Sequence, residues 1–440
     1  MFTLNPVAGN DFVNREKLIE AMVAELGDLK SRDGFAIYGM RRVGKSSVFI
    51  EVARRLKENK KIVPVYFSVW RLSEFTVEEF CNLLTKEIID AYRPLLGLKY
   101  RASELLNAPL SMLRKISSVG VIYEDIEFLV SFSFGREREG ENIEELVERT
   151  FALPEKLARN TETKCVLMID EFPDIVNLEY RKGKIGIGIV RKIRTLCEGW
   201  KRTALCISGS IRSTMELVVL SSASPFYKQF IIREVKPLED KYVEELLRRH
   251  LDISERAVVE ICRFSGGIPF YVHALGKILA RKKGKVTLRD VVEAEREFLS
   301  EEGNLIFLGD FERLSSKEKM VLLRIAAGTR EIKKLRAKLG DRVSNVSAVV
   351  GWLEDKGILV RKERGVYYIA DPVFEEWLAL RSGARSFTQE ILEALRVPRS
   401  MEELYALFPE RPESSVKSTV YRLVNRGLVR KVGKGKYCKK

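Results

Sequence analysis

The chain has 440 residues, and this length predicts roughly three domains rather than one core. Hydrophobic residues make up 45% of the chain and charged residues 32%, a composition typical of a folded protein with a strongly charged surface. No apolar run approaches the roughly 18 residues that a membrane helix needs, and the N-terminus has no basic-then-apolar secretion signal, so we expect a cytoplasmic protein without a membrane partner.

The charge and the cysteines narrow the classes of partner and site. The formal net charge of +15 favours an anionic partner, although excess lysine and arginine also occur on solvated, heat-adapted surfaces. The six cysteines are scattered without a CxxC pair, and the chain has only two histidines. We therefore expect neither a zinc site nor a disulfide framework.

Apolar strands and amphipathic helices alternate from about residue 31 to 235. This pattern predicts an α/β fold with a parallel sheet and helices on its faces. Two of the runs are continuously apolar, as expected for strands buried on both sides. The predicted strands are 35–39, 62–69, 165–170 and 203–210. Residues from about 70 to 160 are mostly helical, and the segment 130–142 has the pattern of a short strand and charged turn without an assigned role.

A glycine-rich motif follows the first predicted strand and opens a helix predicted for residues 45–58. It fits the pattern G-x-x-x-x-G-K-[ST], in which tight glycine turns direct backbone N–H groups and a helix N-terminus at phosphates. Its lysine adds a charge to the β and γ phosphates, and its serine is a magnesium ligand. The motif therefore predicts binding of ATP with Mg²⁺. The predicted nucleotide-binding residues are Gly39, Met40, Arg41, Arg42, Val43, Gly44, Lys45, Ser46 and Ser47.

Two carboxylates, Asp170 and Glu171, end the third predicted strand. Asp170 is placed to hold the metal, and Glu171 to orient and deprotonate the attacking water. Many strands end in Asp-Glu, and the alternative is a pair of ordinary surface carboxylates, but the pair gains specificity because it follows a phosphate-binding loop. The fourth predicted strand would lie beside the loop strand, and its Ser208 and Ser210 are candidates to present a hydroxyl to the γ phosphate, with an ordinary strand end as the alternative.

The pattern becomes helical after residue 235. Residues from about 238 to 310 form a helical stretch that is interrupted by SGGIP at 265–269, which predicts a separate helical domain. Two similar units follow, each with three helices and a strand-turn-strand, the pattern of a winged helix. The predicted domains are a core at 1–235, a helical lid at 236–310, winged helices at 311–372 and 385–440, and a linker at 373–384.

The third predicted helices of the two winged-helix units differ in their outward faces. In the first unit this face is small, aromatic and acidic, which suits packing against a protein and predicts that Trp352 is docked. In the second unit the face is polar and basic, as in a DNA reader. Its predicted DNA-binding residues are Ser414, Lys417, Ser418, Arg422 and Asn425 on the helix and Lys431, Lys434 and Lys436 on the wing.

Residues 385–440 contain 13 lysines and arginines against 6 aspartates and glutamates, a net charge of +7. This density predicts duplex DNA as a partner, with a solubilising basic tail as the alternative. Two function classes follow. The first is an ATP-dependent switch that acts on DNA, and the second is a signalling or defence scaffold whose winged helices bind protein.

The motifs in combination resemble the archaeal ATPase family, which belongs to the signal-transducing (STAND) branch of AAA+-like P-loop ATPases and is related to origin-recognition initiators. The resemblance covers about residues 5–380 and rests on GMRRVGKSS, VLMIDEFPDI, ISGS, FVNRE at 12–16 and SGGIPFYV at 265–272. It implies an ATPase in which Phe12, Val13 and Arg15 line the adenine side of the pocket. It also implies that Gly267 and Pro269 place a helical lid against the nucleotide, and that winged helices often follow.

The chain departs from this family at residues 224–229, where it reads SPFYKQ and many members read SPLYGR. An arginine that would act across a subunit boundary is therefore missing at that place. Lys228, Arg191, Arg194 and Arg212 nearby are candidates to substitute for it, although an ordinary surface role is the default interpretation for each. We expect slow ATP turnover by the isolated protein, and self-association stays open.

Overall fold

The structure is a computed structural model that divides into two compact units, residues 5–236 and residues 1–4 with 237–440. None of its described helices combines the length and the apolar character that crossing a bilayer requires. The segment 130–142 lies outside the described residues. These are 2–9, 12–96, 143–180, 183–210, 215–340, 342–381, 387–409, 413–425, 427–433 and 435–439, with the backbone alone for 387–389, 414–415 and 425.

A parallel sheet forms the centre of the unit 5–236, and its five strands within the described residues lie in the order β2-β3-β6-β1-β7. Strands β3 and β6 are buried along their whole length, which confirms the continuous apolar pattern. A short antiparallel pair, β4 and β5, lies outside this sheet. The strands are β1 (Gly34–Tyr38), β2 (Ile62–Ser68), β3 (Lys164–Asp170), β4 (Glu179–Tyr180), β5 (Gly183–Lys184), β6 (Thr203–Gly209) and β7 (Phe230–Glu234).

The sequence pattern did not predict strand β7. Among the described strands it pairs with β1 alone, and Ile232, Arg233 and Glu234 are exposed. An edge strand is not buried on both faces, so it does not need a continuous apolar run. The alternating pattern is therefore weak in this five-residue segment.

Helices cover both faces of the sheet. One apolar core contains Ile37 of β1 and Val52 of the helix after the loop, and the other core contains Phe80 and Phe151. Because the strands are parallel, the segments that follow β1, β3 and β6 meet at one edge of the sheet. The helices of this unit are α1 (Glu16–Gly27), α2 (Lys45–Leu56), α3 (Val77–Tyr92), α4 (Ile143–Asn160) and α5 (Ile187–Glu198).

The other unit begins with helices and continues into two groups that share one order of elements. The first three-helix unit consists of α11 to α13 followed by the antiparallel strands β8 and β9. The second three-helix unit consists of α15 to α17 with strands β10, β11 and β12. The helices are α6 (Asp240–Arg248), α7 (Glu255–Ser265), α8 (Pro269–Leu279), α9 (Leu288–Ser300), α10 (Glu302–Glu312), α11 (Ser316–Ala326), α12 (Ile332–Leu339), α13 (Val346–Asp355), α14 (Pro372–Arg381), α15 (Phe387–Ala394), α16 (Met401–Leu407) and α17 (Glu413–Asn425). The strands are β8 (Leu359–Glu363), β9 (Val366–Ile369), β10 (Arg399–Ser400), β11 (Val429–Val432) and β12 (Lys436–Lys439).

Helix α11 begins with the capping box that the sequence predicted. The Ser315 hydroxyl accepts the N–H of Glu318 at 3.3 Å, and the Glu318 carboxylate accepts the N–H of Ser315 at 2.8 Å. This reciprocal pairing satisfies two backbone donors that the helix itself leaves unpaired, so it fixes where the first three-helix unit starts.

The turn between α7 and α8 contacts the start of helix α14. Gly266 has φ of 57°, and a Cβ atom at this position would lie 2.8 Å from Cγ of Pro372. The Tyr271 hydroxyl donates a hydrogen bond to Asp371 Oδ2. A side chain at position 266 would therefore force this turn and α14 apart.

Helix α14 is itself packed into the helical part of the unit. Phe374 and Trp377 are buried, and their rings lie 5.3 Å and 5.9 Å from the ring of Phe307. Aromatic rings at these separations form favourable edge and offset contacts. The segment between the two three-helix units is thus a folded helix with a buried aromatic face.

Candidate functional site

The loop 39–44 between β1 and α2 has a backbone that only particular residues can adopt. A Cβ atom at Gly39 would lie 2.3 Å from the carbonyl oxygen of Val235, so the close approach of the two segments requires glycine. Gly44 precedes α2 with φ of 96°, and Arg42 has φ of 65°. The loop leads directly into the N-terminus of α2, where unpaired N–H groups and the helix dipole favour an anion.

Lys45 is 5% exposed and joins the loop to the acidic strand end. Its Nζ donates to the carbonyl oxygens of Gly39 and Met40 at 3.1 Å each and lies 3.9 Å from Glu171 Oε1. Burial lowers the pKa of Lys45, whereas the charges of Glu171 and Asp170 raise it. Two backbone carbonyls therefore hold the ammonium group at the loop that the sequence motif predicts to bind phosphates.

Asp170 accepts hydrogen bonds from three hydroxyl groups on three different elements. Its Oδ2 accepts from Ser46 Oγ at 2.6 Å and from Tyr66 OH at 2.9 Å, and its Oδ1 accepts from Ser208 Oγ. A carboxylate and a serine hydroxyl are hard oxygen donors of the kind that Mg²⁺ prefers. Asp170 and Ser46 therefore fit the magnesium ion that the motif implies.

Glu171 is buried and follows Asp170 with a left-handed backbone, φ 54°. Its Oε2 accepts the N–H of Ser210 at 3.0 Å, and its own N–H donates to Ser208 Oγ at 3.1 Å. Burial raises the pKa of Glu171, and Lys45 lowers it. These contacts hold a carboxylate of raised basicity next to the loop.

The two serines occupy different environments. Ser208 is fully buried and hydrogen-bonded to Asp170 and Glu171, and a phosphate contact by its hydroxyl stays a prediction. Ser210 is half-buried and holds Glu171 through its backbone N–H. A phosphate contact by the Ser210 hydroxyl stays a prediction.

Tyr66 is a site residue that sequence analysis missed. It lies in β2, where its aromatic ring reads as part of an apolar strand, and only the pairing of β2 with β3 brings its hydroxyl to Asp170. Burial, the charge of Asp170 and the hydrogen bond to it raise the pKa of Tyr66, so its hydroxyl stays protonated and donates.

We predict that Tyr66→Phe weakens the binding of the Mg²⁺ that supports ATP hydrolysis. Loss of one hydrogen bond to a carboxylate costs about 1 to 2 kcal/mol, so the Mg²⁺ concentration for half-maximal hydrolysis should rise by roughly 5- to 30-fold. The matched control is Tyr180→Phe, which removes a hydroxyl from β4 of the same unit. An unchanged magnesium titration for Tyr66→Phe would contradict the prediction.

The segment before α1 lies against the loop. The Arg15 guanidinium donates to the carbonyl oxygen of Val43 at 2.8 Å, and burial lowers the pKa of Arg15 to about 10. Val13 is buried, and Phe12 packs partly buried against the core that contains α2. The structure thus places Arg15 against the loop and Phe12 against the adjoining core, while contact of the three residues with adenine stays a prediction.

Ser47 and Glu51 of helix α2 hold the first residues of the unit. The N–H of Val7 donates to Ser47 Oγ at 3.1 Å, and the N–H of Gly9 donates to Glu51 Oε2 at 2.8 Å. Hydrogen bonds, the first from Arg54, lower the pKa of Glu51 to about 2 against the opposing effect of burial. Sequence analysis missed Glu51, although a carboxylate between Val48 and Val52 on the apolar stripe is a detectable signal.

Arg41 of the loop lies beside an exposed tryptophan. Its guanidinium carbon is 5.9 Å from the ring centroid of Trp70, and Trp70 Nε1 donates to Asp174 Oδ2 at 2.7 Å. These contacts place an aromatic ring and a cation on the outer side of the loop.

Gly267 and Pro269 belong to the other compact unit. Gly267 has φ of 73°, and a Cβ atom there would lie 2.1 Å from the carbonyl oxygen of Leu238. Pro269 is the first residue of α8, the position at which proline is favoured. Their predicted role beside a nucleotide stays a prediction.

Two of the cations proposed to replace the missing arginine, Arg191 and Arg194, lie on helix α5. Lys228 is exposed with φ of 59°, and Arg191 is exposed. Arg194 pairs with Glu198 of the same helix, and Arg212 lies outside the described residues. A role of any of them across a subunit boundary stays a prediction.

The predicted DNA-binding residues that the structure describes lie on α17 and on the strands after it. Val416, Val420 and Leu423 are buried, which confirms the predicted apolar stripe of this helix. Lys417 and Ser418 are exposed, and Arg422 is half-buried with a hydrogen bond of 2.9 Å to Thr419 Oγ1. Lys431 and Lys436 are exposed on β11 and β12. Lys434 and the side chains of Ser414 and Asn425 lie outside the described part.

Comparisons with known proteins agree with the core architecture. A family model described as an ATPase domain predominantly from Archaea matches residues 12–275. Among solved structures, a Walker-type ATPase of Pyrococcus abyssi is similar with a TM-score of 0.63 and 20% identity, over 86% of this chain and 99% of that chain. The ORC2 protein of Aeropyrum pernix is similar with a TM-score of 0.49 and 12% identity, over 87% of this chain and 98% of that chain. No curated protein sequence matches the chain significantly.

Proposed function

This chain is an ATPase that belongs to the family of ATPase domains found predominantly in archaea, and from that premise we propose a magnesium-dependent ATP switch that acts on double-stranded DNA. The second three-helix unit, a winged helix in this proposal, delivers the DNA contact. The observation that carries the proposal is the exposed basic surface of α17, β11 and β12, in a chain that also has an ordered phosphate loop.

In the proposed ATP site, the groups of the loop and the acidic pair each have a role. The loop N–H groups and Lys45 bind the β and γ phosphates, which replace the carbonyls of Gly39 and Met40 as partners of the ammonium group. Ser46 and Asp170 would hold Mg²⁺, which would neutralise part of the phosphate charge. Glu171 orients the attacking water and accepts its proton.

The proposed contact with DNA is supported by the charge and the exposure of side chains in the second three-helix unit. Lys417, Lys431 and Lys436 are exposed, and none has an ion-pair partner in the described part of the chain. Solvated cations without partners keep their full charge for phosphate groups, whose binding releases condensed counterions. The polar face of α17 is then placed to meet base edges while the strands contact the backbone.

A titration of fluorescent duplex DNA with the whole protein tests the switch. If nucleotide state and DNA binding are coupled, ATP with Mg²⁺ should change the DNA affinity by about 5- to 150-fold relative to the nucleotide-free protein. The Lys45→Ala variant serves as the control, because it should show one DNA affinity with and without ATP. Equal affinities of the parent protein in both states would contradict the proposal.

A protein-binding scaffold is the second candidate, and one observation favours it. Trp352 of helix α13 is 53% exposed, and the half-buried Ala348 and Gly351 lie on the same helix. The described residues therefore leave about half of Trp352 open to solvent, and its docking against a protein surface stays a prediction. An exposed tryptophan is a frequent anchor of protein interfaces. Self-association stays a prediction from the family resemblance.

A further inference from the structure

The first three-helix unit is almost as basic as the second, but its charge is distributed differently. Residues 311–372 contain 14 lysines and arginines against 8 aspartates and glutamates, a net charge of +6. Helix α13, which corresponds in order to the DNA-reading helix of the second unit, contains Glu354 and Asp355 and no lysine or arginine. The positive charge of this unit must therefore lie on other elements.

Backbone hydrogen bonds bring two basic elements of this unit together. The N–H of Ile332, the first residue of α12, donates to the carbonyl oxygen of Gly365 in the β8–β9 turn at 2.9 Å. Glu331 pairs with Val366 of β9 in an antiparallel bridge. The start of α12 and the tip of the hairpin consequently form one surface.

Three cations lie next to this junction, and we call them the hairpin face. They are Lys333, Lys362 and Arg364, all exposed, and none of them has an ion-pair partner among the residues that the structure describes. Lys362 lies 4.7 Å from the ring centroid of Tyr368. The hairpin face therefore presents three positive charges to the solvent.

Two neighbouring cations of the unit form ion pairs within it. Arg330 pairs with Glu375 at 2.7 Å, and Lys334 pairs with Glu331 at 3.0 Å. Arg330 and Lys334 are thus paired with carboxylates, whereas the three cations of the hairpin face have no ion-pair partner among the described residues. Such unpaired, clustered charge is the electrostatic signature of a surface for an anionic partner.

We propose that the hairpin face binds the phosphate backbone of double-stranded DNA, in addition to the contact made by the second three-helix unit. A nucleic acid fits better than an acidic protein, because protein interfaces have an apolar centre depleted of charge. The exposed tryptophan of this unit lies on α13, not at the junction. Backbone contacts by a hairpin and a helix start need no base-reading helix, which accounts for the acidic α13.

This inference rests on the proposed action on DNA, and three matched variants of the whole protein separate the two. The hairpin-face variant is Lys333→Ala, Lys362→Ala and Arg364→Ala. The second-unit variant changes Lys431, Lys434 and Lys436 to alanine. The control variant changes the exposed Lys57, Lys60 and Lys61 of the unit 5–236 to alanine. Each variant removes three positive charges.

Binding to a fluorescent duplex is measured by anisotropy at several salt concentrations. The hairpin-face variant should bind at least about tenfold more weakly than the control variant at 0.1 M salt, with a log-log salt slope flatter by about 0.9 for each phosphate that the variant no longer neutralises. A variant that keeps the charges, Lys333→Arg, Lys362→Arg and Arg364→Lys, should bind like the parent. All variants should melt like the parent, because the changed side chains are exposed.

The outcomes are distinct. A hairpin-face variant that binds duplex DNA like the control variant overturns this inference, even where the second-unit variant weakens binding and supports the proposed function. Weakening by the hairpin-face variant alone supports the inference and contradicts the placement of DNA on the second unit. If polyglutamate of matched charge binds the parent as tightly as the duplex does, the face is a site for acidic protein and the inference is wrong.

Discussion

The Lys45→Ala variant is expected to lose ATP binding, with an affinity at least about 30-fold below that of the parent, because removal of one partner from a buried charge pair costs roughly 2 to 5 kcal/mol. Lys45 is the buried cation that joins the phosphate loop to Glu171. Calorimetry with Mg²⁺ measures the affinity directly. The control is Lys57→Ala, which removes an exposed charge just after the same helix. Equal ATP affinities of Lys45→Ala and the parent would refute the phosphate-site assignment.

The companion variant Glu171→Gln should separate binding from chemistry. The amide keeps the size of the side chain but accepts a proton poorly, so hydrolysis should fall by about 10²- to 10⁴-fold while ATP affinity changes little. Glu179→Gln provides the control, since Glu179 is an exposed carboxylate of the same unit. Hydrolysis by Glu171→Gln at the rate of the parent would show that another group activates the water.

The second large effect is expected from Lys431, Lys434 and Lys436 changed together to alanine. These residues are predicted to contact phosphates, so the affinity should fall for all duplex sequences alike and the log-log salt slope should flatten by about 0.9 for each phosphate left without its lysine. Arg422→Ala should mainly relax any sequence preference, because α17 is the element predicted to meet base edges. Anisotropy with two duplexes of different sequence distinguishes these effects.

Deletion of residues 385–440 gives the stricter test of the same prediction. This segment should supply most of the DNA affinity. The shortened protein should keep its ATP affinity, because residues 5–236 form a separate compact unit. An unchanged DNA affinity and salt slope after the deletion would refute the proposal. The basic C-terminus would then be a solvated surface.

The sequence was sufficient where function depends on local patterns. The loop motif, the acidic strand end and the capping box at Ser315 are read within a few residues, and the predicted strands agree with β1, β2, β3 and β6 to within one residue at their ends. Periodicity and turn chemistry carry this information because they reflect burial and backbone geometry directly.

The missed features depend on contacts between distant segments. Tyr66 meets Asp170 only because β2 pairs with β3, and Glu51 binds a segment that precedes it by about forty residues. A single sequence does not reveal such partners, since the same residues would fit a strand interior or a helix surface. The 53% exposure of Trp352 likewise depends on which elements pack against α13, and composition does not determine that packing.

The contact between the α7–α8 turn and α14 has a consequence for how the chain can be divided. The boundary predicted at residue 372 falls directly after Asp371 and Pro372, which touch Tyr271 and Gly266. A truncation there would remove Phe374 and Trp377 from beside Phe307 and leave an aromatic surface open to water. Such a surface promotes aggregation. A shortened form that retains residues through Arg381 keeps this aromatic cluster covered, so residue 381, rather than 372, is the end point that the fold supports.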